Sequence, residues 1–378
     1  MNKKTTFAIV TMLYWFSLYT YVPTLPSYAA SLGASYKAIG LIVGSYGLSQ
    51  MIVRIPLGIL SDHLNKRKIF IPLGLLLSLL SSLGFLMSSS IPSLFFYRIM
   101  AGLSAATWVI YTILFSSYFP KEEAPKAMGL INSFNFIGQL SAMFLGGVVV
   151  EKFGVSSAFI LSLGAAILGI LFSFNIYEEP KISNTTITTS DLIAVSKNSY
   201  LMGISVLAIL FQLINFSTVF GFTPIVAEKI GATDFQLGLL GTLSILPGVF
   251  AAPLSGTFFT KRFGEKRTII GGFIVTALST FCIPLISTVP LLMFSQIIGG
   301  FSRGLVFPLL MGLSIKDIEE SKRATAMGFF QAIYGFGMFL GPFFTGILSD
   351  FSGLKFSFYF LGFLGLLSAT LSKKLIKY

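Results

Sequence analysis

Along the 378 residues, apolar runs of 18 or more residues recur at short intervals, parted by brief polar stretches. Each run is long enough to cross a hydrocarbon core, which takes roughly 20 helical residues. Their limits predict twelve membrane-spanning helices, near 6–27, 38–60, 69–90, 92–117, 124–150, 155–176, 200–225, 235–259, 268–288, 290–313, 324–348 and 356–372. One long polar stretch interrupts them, from about Tyr177 to Ser199, with Glu178-Glu179-Pro180 and Asn184-Thr185-Thr186. It reads as a linker between two sets of six spans. The predicted division is therefore 1–178, a linker at 179–198, and 199–378. The first span follows Lys3-Lys4 and precedes Ala29-Ala30-Ser31, a layout shared with signal peptides. Its correspondence to the seventh span predicts that it is retained.

That correspondence belongs to a duplication covering nearly the whole chain. At an offset of 198, Pro26, Gly33, Gly40 and Gly58 fall on Pro224, Gly231, Gly238 and Gly256. At 199, Ala127-Met128-Gly129, Gly138, Gly146, Gly147, Glu151 and Gly154 fall on Ala326-Met327-Gly328, Gly337, Thr345, Gly346, Asp350 and Gly353. Each copy far exceeds the 20 to 50 residue period of a solenoid, so the expected fold is an all-α membrane protein of two pseudo-symmetric six-helix bundles.

Composition agrees: charged residues are 11% and hydrophobic residues 54%, and mean hydropathy is +0.85. With the N-terminus placed inside, 19 of the 26 basic residues fall on cytoplasmic segments and four on external loops. Basic residues favour the cytoplasmic side, so both termini are expected there, in a multi-pass protein of the cell membrane. The net charge of +12 is thereby a topology signal, with attraction to anionic lipid second. Because the basic residues are scattered over seven short segments, nucleic acid is not an expected partner. Cys282, alone in an apolar span, excludes a disulfide framework. No span contains His, Asp or Glu, which argues against an embedded hydrolase or a metal site, so the chain is not expected to be an enzyme.

Three basic residues remain inside spans, Arg54, Arg98 and Arg303, while all 14 acidic residues lie in loops or at span ends. A charge at the bilayer centre costs about 2.5–3.5 kcal/mol or more and usually faces a cavity or pathway. The bland alternative is that each arginine locks helices together through carbonyls and hydroxyls; Arg54, one turn before Gly58, suits that reading best. Spans 1, 4, 7 and 10 also carry Tyr14, Trp15, Tyr19, Trp108, Tyr111, Gln212, Asn215 and Gln296, whereas spans 3, 6, 9 and 12 are mainly Leu, Ile, Phe, Gly and Ser. The first group behaves as cavity lining and the second as a lipid-facing surface. Candidate substrate-binding residues are Arg98, Arg303, Arg54, Trp15, Tyr19, Trp108, Gln212, Asn215 and Gln296. They suit a partly apolar organic molecule that is anionic or zwitterionic.

The loop after the second span reads Gly58-Ile59-Leu60-Ser61-Asp62-His63-Leu64-Asn65-Lys66-Arg67-Lys68. It resembles the loop motif of the major facilitator superfamily, with His63 and Asn65 departing from the usual basic residue and glycine. The resemblance covers the whole chain, since two six-span copies with a cytoplasmic linker is that family's layout. It implies a secondary transporter working by alternating access, with a small-molecule substrate, no cofactor beyond an ion gradient, and a monomeric state. It also implies that Gly58, Asp62 and Arg67 latch the cytoplasmic face against the N-terminus of span 11, where a helix dipole favours a carboxylate.

The ladder Gly129, Gly138, Ala142-Met143, Gly146-Gly147 resembles the span 5 motif of exporters, without its Gly-Pro pair. The second copy has that pair, in Gly337, Gly341-Pro342, Thr345-Gly346. Small residues permit close packing and Pro342 permits a bend, so Gly138, Gly146, Gly147, Gly337, Gly341 and Pro342 are candidate conformational residues. Arg98-Ile99-Met100-Ala101-Gly102 resembles the span 4 motif of the same group, with Ala101 in place of Gln. Together these imply drug or metabolite efflux; an importer or exchanger of organic anions is the alternative. Proton antiporters of the group carry an acid in the first or fourth span, which this chain lacks. Asp62, His63, Glu228 and Asp234 are the remaining titratable candidates for proton coupling, and chloride or hydroxide competing at Arg98 and Arg303 is the other route.

Overall fold

Helix starts are written locally in this chain. The Asn2 side chain accepts from the Lys4 amide to open α1 (Lys3–Tyr19), and Asn198 accepts from Leu201 to open α10 (Ser199–Ser217). Thr233 and Gln236 form a reciprocal capping box on α12 (Asp234–Leu254), satisfying amides that a helix leaves without partners. Proline occupies the first turn of α2 (Leu25–Ser31), α5 (Ile91–Ala106), α11 (Thr223–Lys229) and α15 (Val289–Lys316), where its missing N–H costs nothing. The remaining helices are α3 (Tyr36–Leu64), α4 (Phe70–Met87), α6 (Trp108–Ser116), α7 (Ala124–Phe153), α8 (Ser156–Ser173), α9 (Thr189–Ser196), α13 (Thr260–Phe263), α14 (Glu265–Cys282) and α16 (Arg323–Leu375). The computed structural model describes residues 2–64, 66–120, 123–178, 189–319 and 322–377.

Among the described residues, ten helices are long and apolar enough to cross a membrane. The twelve crossings follow from two details. The first crossing is α1, of 17 residues, continued through turns into α2. The last two share α16, divided at Gly353, whose φ of 80° and ψ of 157° are not helical. Only glycine adopts that backbone cheaply, so Gly353→Ala is expected to cost about 1–3 kcal/mol. A thermal melt of the purified protein checks this, with Gly271→Ala, which meets open space at ordinary φ, as the neutral comparison.

Several spans expected to be continuous are broken, at matching places of the duplication in spans 1 and 7 and at unmatched places in spans 4 and 8. Span 1 leaves the helix at Tyr19, and at the same place in the duplication span 7 winds as a π segment, Thr218–Phe222. Span 4 breaks at Thr107, whose hydroxyl donates to the Ser104 carbonyl, and span 8 passes through a second π segment, Ser255–Phe259. Such irregular backbone survives in a membrane only where neighbouring protein satisfies it. The lipid-facing spans are regular by comparison: α4 turns Leu73, Leu76, Leu80 and Leu83 outward, and α8 Ile160, Ile167, Leu168 and Leu171.

Across the pseudo-symmetry, α3 packs on α16 and α7 on α12, but only along part of their lengths. A Cβ on Gly44 would lie 2.6 Å from the Phe339 carbonyl oxygen, and one on Gly147 2.8 Å from the Gly238 Cα. Both contacts are near the face opposite the termini. At the face where the chain begins and ends, a Cβ on Gly58, Gly129, Gly256 or Gly328 would meet nothing within 4 Å. The close approach expected at Gly58 is therefore made further along α3, at Gly40, Gly44 and Gly47. The halves touch at one face and part toward the other. The larger apolar core follows this shape, running from the first half across the interface through Phe216, Phe220, Ile225, Leu237, Leu240 and Met338.

Candidate functional site

Where the halves meet, α1 contributes a run of aromatic residues at helical spacing. The Trp15 ring lies 5.1 Å from Trp108 and 5.6 Å from Tyr19, and Tyr19 reaches across the interface to Phe220 at 6.0 Å. Tyr46 of α3 faces Phe216 of α10 at 6.4 Å. Behind this wall Tyr14 stacks on Tyr111 at 4.5 Å and donates its hydroxyl to the Ser104 carbonyl at 2.6 Å. The Trp15 indole N–H is buried without a hydrogen-bond partner. Buried donors are almost always satisfied in native proteins, so this one stands out in a wall that is otherwise packed.

The three intramembrane arginines occupy three different settings. Arg54 bridges the halves: its Nη1 donates to the Tyr334 hydroxyl of α16 at 3.3 Å, its Nη2 donates to the Gln50 side-chain oxygen, and its Nε has no partner. It lies where the contact between α3 and α16 ends, since Gly335 still meets Met51. Arg98 is buried inside the first half with Cζ 4.4 Å from the Tyr46 ring centroid, and Nε and Nη1 lack partners. Arg303 is buried inside the second half, its Nη2 donating to the Ser244 carbonyl at 3.3 Å. The described ion pairs, Lys126 with Glu123, Lys316 with Glu265 and Lys322 with Glu319, involve none of the three. Guanidinium groups stacked on tyrosine recover part of the lost hydration through the ring quadrupole.

Of the other sequence candidates, Asn215 donates to Gln212 at 3.4 Å on α10, and Gln296 accepts from the Ser244 hydroxyl at 3.4 Å within the second half. Sequence reading missed Gln50, Asn135, Gln139, Tyr46 and Tyr334. Asn135 and Gln139 are buried on α7 and bonded to each other. A usable signal existed, because Gln50/Arg54 and Asn135/Gln139 are both polar pairs four residues apart, the spacing that puts two side chains on one helix face.

The conformational candidates are mostly close-packed. A Cβ on Gly138 would lie 2.6 Å from the Met12 carbonyl oxygen; Gly146 sits against Thr20, Gly337 against Ile209, Gly341 against Leu213, and the Pro342 carbonyl against Gly40. Asp62 belongs to the last turn of α3, but its side chain lies outside the described residues, and so does Asn65. The Arg67 and Lys68 amides donate at 2.7 and 2.8 Å to the Glu178 carboxylate, which caps the start of the third span.

At the face opposite the termini, two carboxylates bridge the halves. Asp350 of α16 accepts from the Tyr36 and Lys37 amides, each at 2.9 Å, and Glu151 of α7 accepts from the Phe235 amide at 3.0 Å. Each acid thus caps a helix of the other half, where the dipole favours negative charge. Beside them lies a cavity of about 440 Å³ lined by Tyr36, Ile39, Glu228, Lys229 and Asp350, in which Lys229 donates to the Tyr36 hydroxyl at 2.6 Å.

Two duplicated six-helix bundles, joined at one face and parted at the other around an aromatic and cationic interface, define a multi-pass membrane transporter. The profile of the Major Facilitator Superfamily matches residues 7–213 and 204–377, and the chain belongs to that family. It is 27% identical over 361 residues to the uncharacterized MFS-type transporter MJ1560 of Methanocaldococcus jannaschii, covering 92% of each chain. It is 36% identical over 154 residues to the quinolone resistance protein NorA of Staphylococcus aureus, a match covering 40% of this chain and 39% of NorA. Among solved structures, the nucleoside transporter NupG superposes over the full length of both chains with a TM-score of 0.82 at 17% identity. An inward-facing, unoccupied bacterial homologue of the human lysosomal transporter Spinster gives 0.81 at 13% identity, over 99% of this chain and 96% of that one.

Proposed function

We propose that the protein exports a small amphipathic organic compound, anionic or zwitterionic, across the cell membrane by alternating access, acting as a monomer with both termini cytoplasmic. The halves 1–178 and 199–378 rock about the linker at 179–198. Trp15, Tyr19 and Trp108 receive the apolar body, with Gln212 and Asn215 on the facing helix. Arg54 takes the anionic end, while Arg98 and Arg303, set inside the halves, hold the surrounding field positive, and Gln296 adds a neutral polar group inside the second half. Gly58, Asp62 and Arg67 serve the cytoplasmic gate; Gly147 and Pro342 lie on the seam along which the halves turn, while Gly138, Gly146, Gly337 and Gly341 pack helices closely within each half.

The observation that carries this reading is Arg54, a buried guanidinium with no carboxylate partner at the edge of the contact between the halves. The likeness to NorA, a quinolone resistance protein, supports the reading of drug efflux. Energy for export comes from an ion gradient. Since no acid lies within the spans, a coupling proton is taken up at their ends.

Losing a charge-assisted hydrogen bond costs about 1.5–3 kcal/mol. Arg54→Ala is accordingly expected to raise the half-saturating substrate concentration by about 10- to 100-fold. Transport into proteoliposomes with a panel of anionic, zwitterionic and cationic compounds, under imposed pH and chloride gradients, measures this. Unchanged affinity in Arg54→Ala, or a preference for cations, defeats the assignment. Accumulation of labelled substrate by cells expressing the protein identifies an importer instead.

A further inference from the structure

The cavity of about 440 Å³ at the face opposite the termini is built by both halves of the chain. Ala30, Ala34 and Ile39 come from the first half and Ile225 of α11 from the second, and together they give it an apolar floor. Its volume lies in the range of small-molecule sites. Because its walls belong to different halves, the cavity exists while they meet at this face and is lost when they part.

Three charged side chains border it, all from the second half: Glu228 and Lys229 of α11 and Asp350 of α16. They are committed unequally. Asp350 gives one oxygen to the Tyr36 amide and the other to the Lys37 amide, each at 2.9 Å. Lys229 reaches across to the first half, where its Nζ donates to the Tyr36 hydroxyl at 2.6 Å, and it belongs to none of the described ion pairs. Glu228 has neither a hydrogen-bond nor an ion-pair partner among the described residues. Two acids and one base leave the lining with one negative charge in excess, and the uncommitted carboxylate is Glu228. Water can satisfy an exposed carboxylate, but it does not cover the apolar floor beneath.

We propose that this cavity binds a small organic monocation, an ammonium group on a compact apolar body, and that the bound cation holds the two halves together. The ammonium pairs with Glu228, and the body covers Ala30, Ala34, Ile39 and Ile225. An inorganic cation would leave the floor wet, and an organic anion would meet the excess acid. Since both halves line the site, the ligand binds the joined state and draws the equilibrium toward closure of this face. The site stands apart from the aromatic and arginine interface of the export reading, and its test needs no transported substrate, so either can fail without the other.

The test adds 2-phenylethylammonium, with 2-phenylethanol and phenylacetate as neutral and anionic counterparts, to purified protein carrying Cys282→Ser and Met143→Cys. Met143 is 1% exposed, and its Sδ is 3.2 Å from where a Cβ on Gly241 of α12 would lie. It therefore reports parting of the halves at their other seam, without lining the cavity. A ligand confined to the joined state, at about ten times its dissociation constant, should slow reaction with a membrane-impermeant maleimide roughly tenfold. The ammonium is expected to do so and to bind roughly three- to fivefold more tightly than the alcohol, the range of one partly exposed ion pair. Phenylacetate should do neither. Glu228→Gln, at an exposed position, should abolish the preference for the ammonium, and Glu228→Lys should pass it to phenylacetate. Equal slowing by all three compounds, or an ammonium preference that survives Glu228→Gln, would overturn the inference. So would an ammonium that binds and leaves the labelling rate at its ligand-free value.

Discussion

Replacing Glu151 by glutamine and Asp350 by asparagine together should open the face opposite the termini. In the structure each carboxylate accepts backbone amides at the start of a helix belonging to the other half: Phe235 for Glu151, Tyr36 and Lys37 for Asp350. The amide replacements keep one acceptor oxygen but lose the charge that the helix N-terminus favours and, at Asp350, the second of two bonds. Each loss is worth roughly 1 kcal/mol for an exposed cap. The two contacts share no partner, so their effects should add, and about 2 kcal/mol shifts an opening equilibrium roughly thirtyfold. A reporter is available in Ile39, which is 1% exposed beside Tyr36. With Cys282, the one natural cysteine, changed to serine, an Ile39→Cys protein should react with a membrane-impermeant maleimide more than tenfold faster in the double variant. Each single variant should fall between. A rate equal to that of the parent would mean the carboxylates are ornaments of a face closed by packing alone.

Packing should matter even more, which gives the second large effect. A leucine at Gly147 would press against the Gly238 Cα at 2.8 Å and the Asp234 and Phe235 carbonyl oxygens at 3.1 Å. A leucine at Gly40 would meet the Pro342 carbonyl. Opposing backbone has no rotamer with which to retreat, so overpacking here costs at least about 1–3 kcal/mol per site. Gly147→Leu and Gly40→Leu should therefore leave folded, inserted proteins that cannot bring this face together. Their transport is expected to fall below about a tenth of wild type, with fast labelling at Ile39→Cys. Gly129→Leu, which meets open space in this conformation, should leave that labelling rate unchanged. Slow labelling in Gly147→Leu would show that the halves close along some other seam.

Much of the architecture could be read from hydropathy because a bilayer imposes one length and one polarity on every crossing. The lipid-facing set was equally legible: spans 3 and 6 carry no charged side chain and, apart from Asn175, only serines among polar ones, and α4 and α8 do turn their leucines and isoleucines outward. The breaks at Thr20 and Thr107 and the π segments at 218–222 and 255–259 were not. They follow from tertiary contacts such as Thr20 against Gly146, which local propensity does not encode. Glu151 and Asp350 were visible as matching acids of the duplication, yet their partners lie 84 and 314 residues away. No spacing rule connects them. Arg54 reads as a helix-interface residue from its neighbour Gly58, whereas its actual partner across the interface, Tyr334, is 280 positions distant.

The two acid caps are reciprocal: the first half gives an acid and receives one, and so does the second. That is the signature of an isologous contact, in which one patch meets its own copy across a two-fold axis. A homodimer of six-helix chains carrying a single such acid and a single such helix start would have formed both contacts at once. The seal on this face therefore needs nothing from the linker that joins the halves. The two caps are not identical, a glutamate with one amide on one side and an aspartate with two on the other, so the two-fold symmetry of this seal is approximate.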